Sequence, residues 1–231
     1  VNLDIRRGEI VGLAGLLGSG RTELAKIIFG DDQDFTGELY MDGKEIRLKN
    51  PKMAIKNGVA YCTEERRSEG IFGLMSIADN IVMPSIDNYT KAGVIDDRKK
   101  NRTVDSFIRR LAVKTPSART EIRKLSGGNI QKVVVAREFS NDPCLIIADQ
   151  PTRGIDVGAA EFIRRRIVAM RDEGVAILLV TADLNEALEL SDSIVVMHGG
   201  EIVAYYPDTK QLTEEELGFY MLGVKRQTPE E

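Results

Sequence analysis

Cysteine and histidine are scarce in this sequence, and long apolar runs are missing. Its 231 residues include only two cysteines, Cys62 and Cys144, and one histidine, His198. The cysteines lie far apart and in no metal-ligand spacing, which fits a reduced, cytosolic setting and gives neither thiol a catalytic context. No stretch approaches the ~18 apolar residues needed to span a bilayer. The longest near-apolar stretch, Ile10 to Gly18, is short and rich in glycine. No basic segment followed by an apolar one opens the chain, so no signal peptide is expected. Excess positive charge is missing too: 32 basic against 36 acidic residues give a net charge of −4 and a pI near 5.3. That balance argues against a dedicated nucleic-acid surface. There is no internal repeat and no low-complexity tract.

What is present is ordinary globular composition, 42% apolar and 29% charged, enough to bury a real core. The length is about one and a half times the usual ~150 residues per domain, which suggests one domain with a substantial subdomain. The chain opens without Met, at Val1, in a segment that reads as a strand (Val1 to Ile5), and is expected to be a fragment of a longer polypeptide. Glu9 to Ala14 predicts a strand, Gly15 to Gly20 a glycine-rich turn, and Arg21 to Phe29 a helix that stops at Gly30. Gly37 to Leu48 alternates around Asp42-Gly43 as a hairpin does. Strands are predicted at Val59 to Cys62, Cys144 to Ala148 and Ala176 to Val180, with Cys144 buried. A helix is expected from Ala159 to Asp172, and Ser193 to Met197 with Glu201 to Tyr205 predict a second hairpin, with His198 in its turn. The middle, Ile71 to Asn141, lacks long β-branched runs. In it Val104, Phe107, Ile108 and Leu111 fall at helical spacing. Apolar strands alternating with helices argue for an α/β fold with a mostly parallel sheet covered on both faces. The helical middle would be a subdomain inserted into it.

Two motifs carry chemistry. Gly15-Leu16-Leu17-Gly18-Ser19-Gly20-Arg21-Thr22 fits G-x-x-x-x-G-K-[ST] at every fixed position but one. Glycines let successive N–H groups turn inward around phosphate oxygens, and the following helix adds its positive end. Thr22 is placed to ligate Mg²⁺. Arg21 stands where lysine is usual, a change from a compact point charge to a planar fork. Glu23 puts a carboxylate one position past the Mg²⁺-ligating hydroxyl, which should weaken nucleotide binding unless it turns away.

The second motif is Leu125-Ser126-Gly127-Gly128-Asn129, ahead of a helical run, with Ser126 as its N-cap. Its Ser126 lies 23 residues before Asp149, which closes the apolar strand Cys144 to Ala148. An aspartate at the end of a parallel strand beside a phosphate loop is placed to hold Mg²⁺ through water.

Loop, signature and acidic strand end together resemble the ATP-binding-cassette (ABC) ATPases over essentially the whole chain. The finer likeness is to the second of two fused cassettes in bacterial monosaccharide importer ATPases. It rests on Gly20-Arg21-Thr22-Glu23-Leu24, on Glu64-Glu65-Arg66-Arg67 and on Pro151 to Gly158. The resemblance implies a P-loop NTPase (RecA-like) parallel sheet with an antiparallel β portion and an inserted helical subdomain. Residues 1–70 and 143–231 would form the nucleotide-binding core and 71–142 the signature subdomain. It implies ATP and Mg²⁺ as ligands: Gly15 to Glu23 around the phosphates, Thr22 and Asp149 at the metal, and Ser126, Gly127, Gly128 and Asn129 offered to ATP held by a partner cassette. Asp156 matches the interface aspartate between cassettes.

Departures from the family pattern fall in one site. Gln150 stands at the catalytic glutamate position, Ala182 at the switch histidine position, and Glu64 at a glutamine position that senses the γ-phosphate. An amide cannot accept a proton from attacking water. With Arg21 and Glu23, these departures lead to the expectation that the cassette's own site is degenerate while its signature completes a partner's site. The implied setting is peripheral, at the cytoplasmic face of the cell membrane. The implied partners are a fused N-terminal cassette, transmembrane permease subunits and, indirectly, a solute-binding protein, with no nucleic acid. The resemblance puts Glu64 to Arg67 at the loop entering the helical subdomain, where with Ile71 to Pro84 it would face the permease, although a solvated charge run and a core helix explain these residues equally well. Arg164 to Arg166 reads as an exposed helix face. Two alternatives stay open: a structural or regulatory cassette that binds no nucleotide, and a soluble ABC ATPase acting on nucleic acid. The acidic net charge and the lack of a heptad tract weigh against the second.

Overall fold

The computed structural model describes residues 1–140 and 142–228. The chain divides into two compact units. One comprises Val1–Tyr61, Cys144–Gln150 and the chain from Arg166 onward, and the other Cys62–Pro143 with Pro151–Arg165.

The first unit is built on a six-stranded sheet. Its strands are β1 (Ile10–Ala14), β4 (Val59–Cys62), β7 (Leu145–Asp149), β8 (Ala176–Thr181), β9 (Ser193–His198) and β10 (Glu201–Tyr206), in the order β10-β9-β1-β8-β7-β4. β1 runs parallel to β8 and β9, and β7 runs parallel to β8, while β10 is antiparallel to its neighbour β9. The central strands are continuous apolar runs because both their faces are covered. One face carries Val11, Leu13, Ile147, Leu178 and Val180 with Ala25 of helix α1 (Arg21–Ile28). The other carries Ala14, Ile194 and Val196 against α7 (Leu184–Leu190) and α8 (Glu214–Met221). The hairpin β2 (Leu39–Met41) and β3 (Lys44–Ile46) and the short helix α2 (Pro51–Lys56) complete this unit. In register, Ala14 pairs with Thr181 and Asp149 with Val180. The C-terminal ends of β1, β7 and β8 therefore lie side by side, at the edge where open parallel sheets place ligands.

The second unit is helical. Its core joins α3 (Ile77–Val82), α4 (Asp97–Arg110) and α5 (Gly127–Phe139) through Ile77, Ile81, Val104, Ile122, Ile130, Val133 and Val134. Ser76 and Asp96 cap α3 and α4 through their side chains. Helix α6 (Val157–Asp172) begins in this unit and ends in the first.

Several expectations need correction. Val1 to Ile5 is not a strand. Leu3 and Ile5 alternate with exposed neighbours and pack onto the sheet's core, but the segment forms no ladder. Cys144 precedes β7 and is only half-buried. His198 ends β9 rather than lying in the turn, with Nδ1 3.0 Å from the Met221 carbonyl. The helical middle also holds an unforeseen hairpin, β5 (Thr90–Lys91) and β6 (Val94–Ile95), turned by Ala92 and Gly93 at positive φ. In the arginine run only Arg165 is exposed; Arg164 and Arg166 are half-buried.

Candidate functional site

The phosphate loop leaves β1 at Gly15 and enters α1 at Arg21. A side chain at position 15 would put its Cβ 2.6 Å from both the Met197 carbonyl and Ser19 Oγ, so only glycine fits. Gly20 caps α1 at φ +96°, a conformation other residues rarely take. Two main-chain bonds fix the loop: Ser19 N to Leu16 O at 3.1 Å, and Gly200 N of the β9–β10 turn to Ser19 O at 3.0 Å. The first N–H groups of α1 have no intrahelical acceptor and form the positive end of the helix beside the loop. Leu17 at the tip is exposed.

Arg21 is 5% exposed and folds back into this loop. Its Nε donates to Ser19 Oγ at 3.1 Å and its Nη2 to Leu16 O at 3.3 Å. Nη1 is buried without a partner. Burial pulls the guanidinium pKa below its ordinary value, against the attraction of Asp149 and Glu23. Glu23 itself is exposed, in the first turn of α1, where a carboxylate favours the helix dipole.

Asp149 ends β7 and is 1% exposed. Tyr61 Oη donates to its Oδ2 at 3.2 Å, while Oδ1 is buried without a partner. Burial raises its pKa above the ordinary aspartate value, and hydrogen bonds from Thr22 and Tyr61, with the nearby Arg21, hold the rise in check. A buried donor on Arg21 and a buried acceptor on Asp149, both lacking partners at one loop, suit a phosphate and its cation. Among the described residues no cluster of three or more His, Cys, Asp or Glu could hold a metal alone. Mg²⁺ that shares its ligands with phosphates needs no such cage.

Gln150 follows at φ +49°, its N–H donating to Val180 O at 2.8 Å. Ala182, exposed, follows β8. Around it Thr181 Oγ1 donates to Glu186 Oε2 at 2.8 Å, and Asp183 caps α7. These bonds fix the backbone at a position whose side chain is a methyl group.

The remaining candidates belong to the second unit. Ser126 occupies the N-cap position of α5, but its side chain makes no capping bond. Its Oγ instead accepts from Asn129 Nδ2 at 2.9 Å, and Asn129 Oδ1 accepts from Lys114 N at 2.7 Å. Asn129 thus ties the signature to the segment after α4. Glu64 is ion-paired with Arg153. The structure brings the loop, Asp149, Gln150 and Ala182 together in the first unit, and gathers Glu64 and the signature in the second.

Sequence reasoning missed Tyr61, whose contact with Asp149 needs the neighbouring placement of β4 and β7. It also missed the clamp on the loop by Gly200. No local pattern marks either. Burial pushes the Cys62 thiol well up, with Glu138 adding to the effect, so it is no nucleophile.

Comparison with known proteins adds the following. The family model described as ABC transporter matches residues 1–153. The ribose import ATP-binding protein of Bacillus subtilis is 44% identical over 202 residues, covering 87% of this chain and 41% of that protein. The xylose import ATP-binding protein of Thermoanaerobacter pseudethanolicus is 40% identical over 226 residues, covering 97% and 45%. The arabinose import ATP-binding protein of Paraburkholderia xenovorans is 44% identical over 203 residues, covering 87% and 39%. The chain thus spans less than half the length of these relatives. Among solved structures, the dimeric post-hydrolysis ATP-binding cassette MJ0796 with ADP and Pi superposes with a TM-score of 0.78 at 24% identity, over 92% of this chain and 90% of that one. A nucleotide-free ATP-binding cassette from an ABC transporter gives 0.77 at 21% identity, over 100% and 88%. The fold is that of these P-loop cassettes.

Proposed function

Since the chain belongs to the ABC transporter family, we propose that it is a cassette that helps energise import of a small solute, a monosaccharide, through a membrane permease. The names of the ribose, xylose and arabinose import relatives support the solute class. The cassette works at the cytoplasmic face, beside permease subunits and with a second, fused cassette. Among the described residues no helix is long and apolar enough to cross a membrane. Residues 71–142 act as its signature subdomain.

In this reading the cassette holds Mg-ATP without turning it over. The loop amides and Arg21 hold the phosphates, and Thr22 and Asp149 face the cation. When bound, Mg²⁺ neutralises the charge of the β- and γ-phosphates. The observation that carries the reading is the pair at the strand ends beside the loop. Gln150 offers an amide and Ala182 a methyl group where water would have to be activated. Neither accepts a proton. The productive contribution is then the signature, Ser126 to Asn129, at the start of α5. There the Ser126 hydroxyl and the first helix N–H groups complete the ATP site of the partner cassette.

Steady-state ATP hydrolysis by the assembled importer tests this. Ser126→Glu places a carboxylate against the partner's phosphates and should lower turnover by roughly 10²-fold or more, the scale of losing one preorganised donor. Turnover equal to wild type would contradict the reading.

A further inference from the structure

Glu64 has a partner that its place in the sequence does not announce. Its side chain is 13% exposed and ion-paired with Arg153, in the turn that follows β7. Two residues on, Arg66 reaches the same turn from the other direction. Its Nη1 donates to Arg153 O at 2.7 Å and its Nη2 to Gly154 O at 3.0 Å. One link runs from carboxylate to guanidinium and the other from guanidinium to two successive main-chain carbonyls. The planar fork of arginine suits two acceptors one residue apart; a lysine ammonium cannot serve both in that geometry.

The turn leads directly to the signature. Asp156 Oδ1 accepts from Ala159 N at 2.9 Å, capping α6. A Cβ placed on Gly128 would lie 2.9 Å from Asp156 Oδ2 and 2.9 Å from Ala159 Cβ. Asp156 therefore packs on the second signature glycine, with no room for a side chain between them. Arg66 Nη2 lies 3.4 Å from the corresponding point on Gly127. All these residues fall in one compact unit, although Pro151 directly follows Gln150 of the other.

We propose that Glu64 and Arg66 are positioning residues: they clamp the turn Pro151 to Asp156 and so hold Asp156 and the signature, Ser126 to Asn129, as one preformed surface. The proposal rests on the reading that this signature serves a partner site. A surface ordered beforehand loses less conformational freedom when the cassettes close on ATP. Glu64 is then a structural partner of Arg153 and not a sensor of phosphate.

Amide hydrogen exchange on this chain decides the matter, in wild type, Arg66→Ala, Arg66→Lys, Glu64→Arg and the swap Glu64→Arg with Arg153→Glu. In Arg66→Ala and Glu64→Arg, peptides spanning 126–135 and 153–163 should exchange roughly tenfold faster or more, the scale of a lost charged hydrogen bond. β1 and β8 should keep their protection. Arg66→Lys should fall between, and the swap should return toward wild type. Unchanged exchange over 126–135, or acceleration across the whole chain that the swap does not reverse, would overturn the clamp. A second arm separates the clamp from the reading beneath it. In the assembled importer Arg66→Ala should lower kcat for ATP with KM unchanged. Unchanged kcat beside a loosened signature would contradict the partner-site reading and leave the clamp standing.

Discussion

Asp149 shows how a single residue carries both cost and purpose. It is buried at the end of β7, with one oxygen held by Tyr61 and the other without a partner. Its pKa in the folded chain is raised, with burial the largest cause. The native state therefore takes up this proton at higher pH than the unfolded chain does, where aspartate titrates near ~3.9. By linkage, the charged carboxylate destabilises the fold fully above the folded pKa, and the penalty disappears as pH falls below the unfolded value. Asp149→Asn keeps an acceptor for Tyr61 and removes the charge. Thermal melts should show the variant more stable at pH 7 by about 0.5–2 kcal/mol, the usual gain from relieving a functional position. The advantage should vanish near pH 3.5. A variant no more stable than wild type at pH 7 would contradict this account.

At the scale of elements, α5 separates what its sequence reveals from what only the fold supplies. Its start at Gly127 after Ser126 was legible, as were β1, β7, β8 and the hairpins β2–β3 and β9–β10, because apolar runs, glycines and turn residues act locally. The use of the Ser126 hydroxyl was not legible, because Asn129, not the helix N–H, claims it. Val1 to Ile5 misled for the opposite reason: the alternation is real, but the segment enters no ladder. The hairpin of β5 and β6 is too short for periodicity to register. For the site, the loop and Asp149 could be read from residue types in order. The pairing of Glu64 with Arg153 joins segments far apart in sequence and needed coordinates. The two signature glycines give a contrast to test. Gly128→Ala drives a Cβ into Asp156 and Ala159, whereas Gly127→Ala meets Arg66 Nη2 at 3.4 Å and the Gly154 carbonyl at 3.5 Å, both near ordinary contact. Denaturant unfolding should show Gly128→Ala destabilised by about 1–3 kcal/mol, the range for overpacking. Gly127→Ala should change stability by under about 1 kcal/mol, because alanine's better helix propensity offsets the mild contact. Equal losses would mean that Asp156 does not pack on Gly128.

Across the whole molecule, the chemistry is divided between two units. The first holds the phosphate loop, Asp149, Gln150 and Ala182; the second holds the signature, Glu64, Arg66 and the turn that bears Asp156. That division fits a cassette whose loop retains nucleotide while its signature serves another site. Of the departures from the family pattern, Arg21, Glu23, Gln150 and Ala182 lie in the first unit and Glu64 in the second. The claim beneath all of this is that the loop from Gly15 to Thr22 still binds Mg-ATP with Arg21 in place of lysine. Titration calorimetry of Mg-ATP into this chain, beside Arg21→Ala, tests it most directly. The account predicts saturable one-to-one binding in the micromolar range for wild type, lost in the variant, with the nucleotide recovered unhydrolysed. No binding heat in either protein, or equal binding in both, would contradict it.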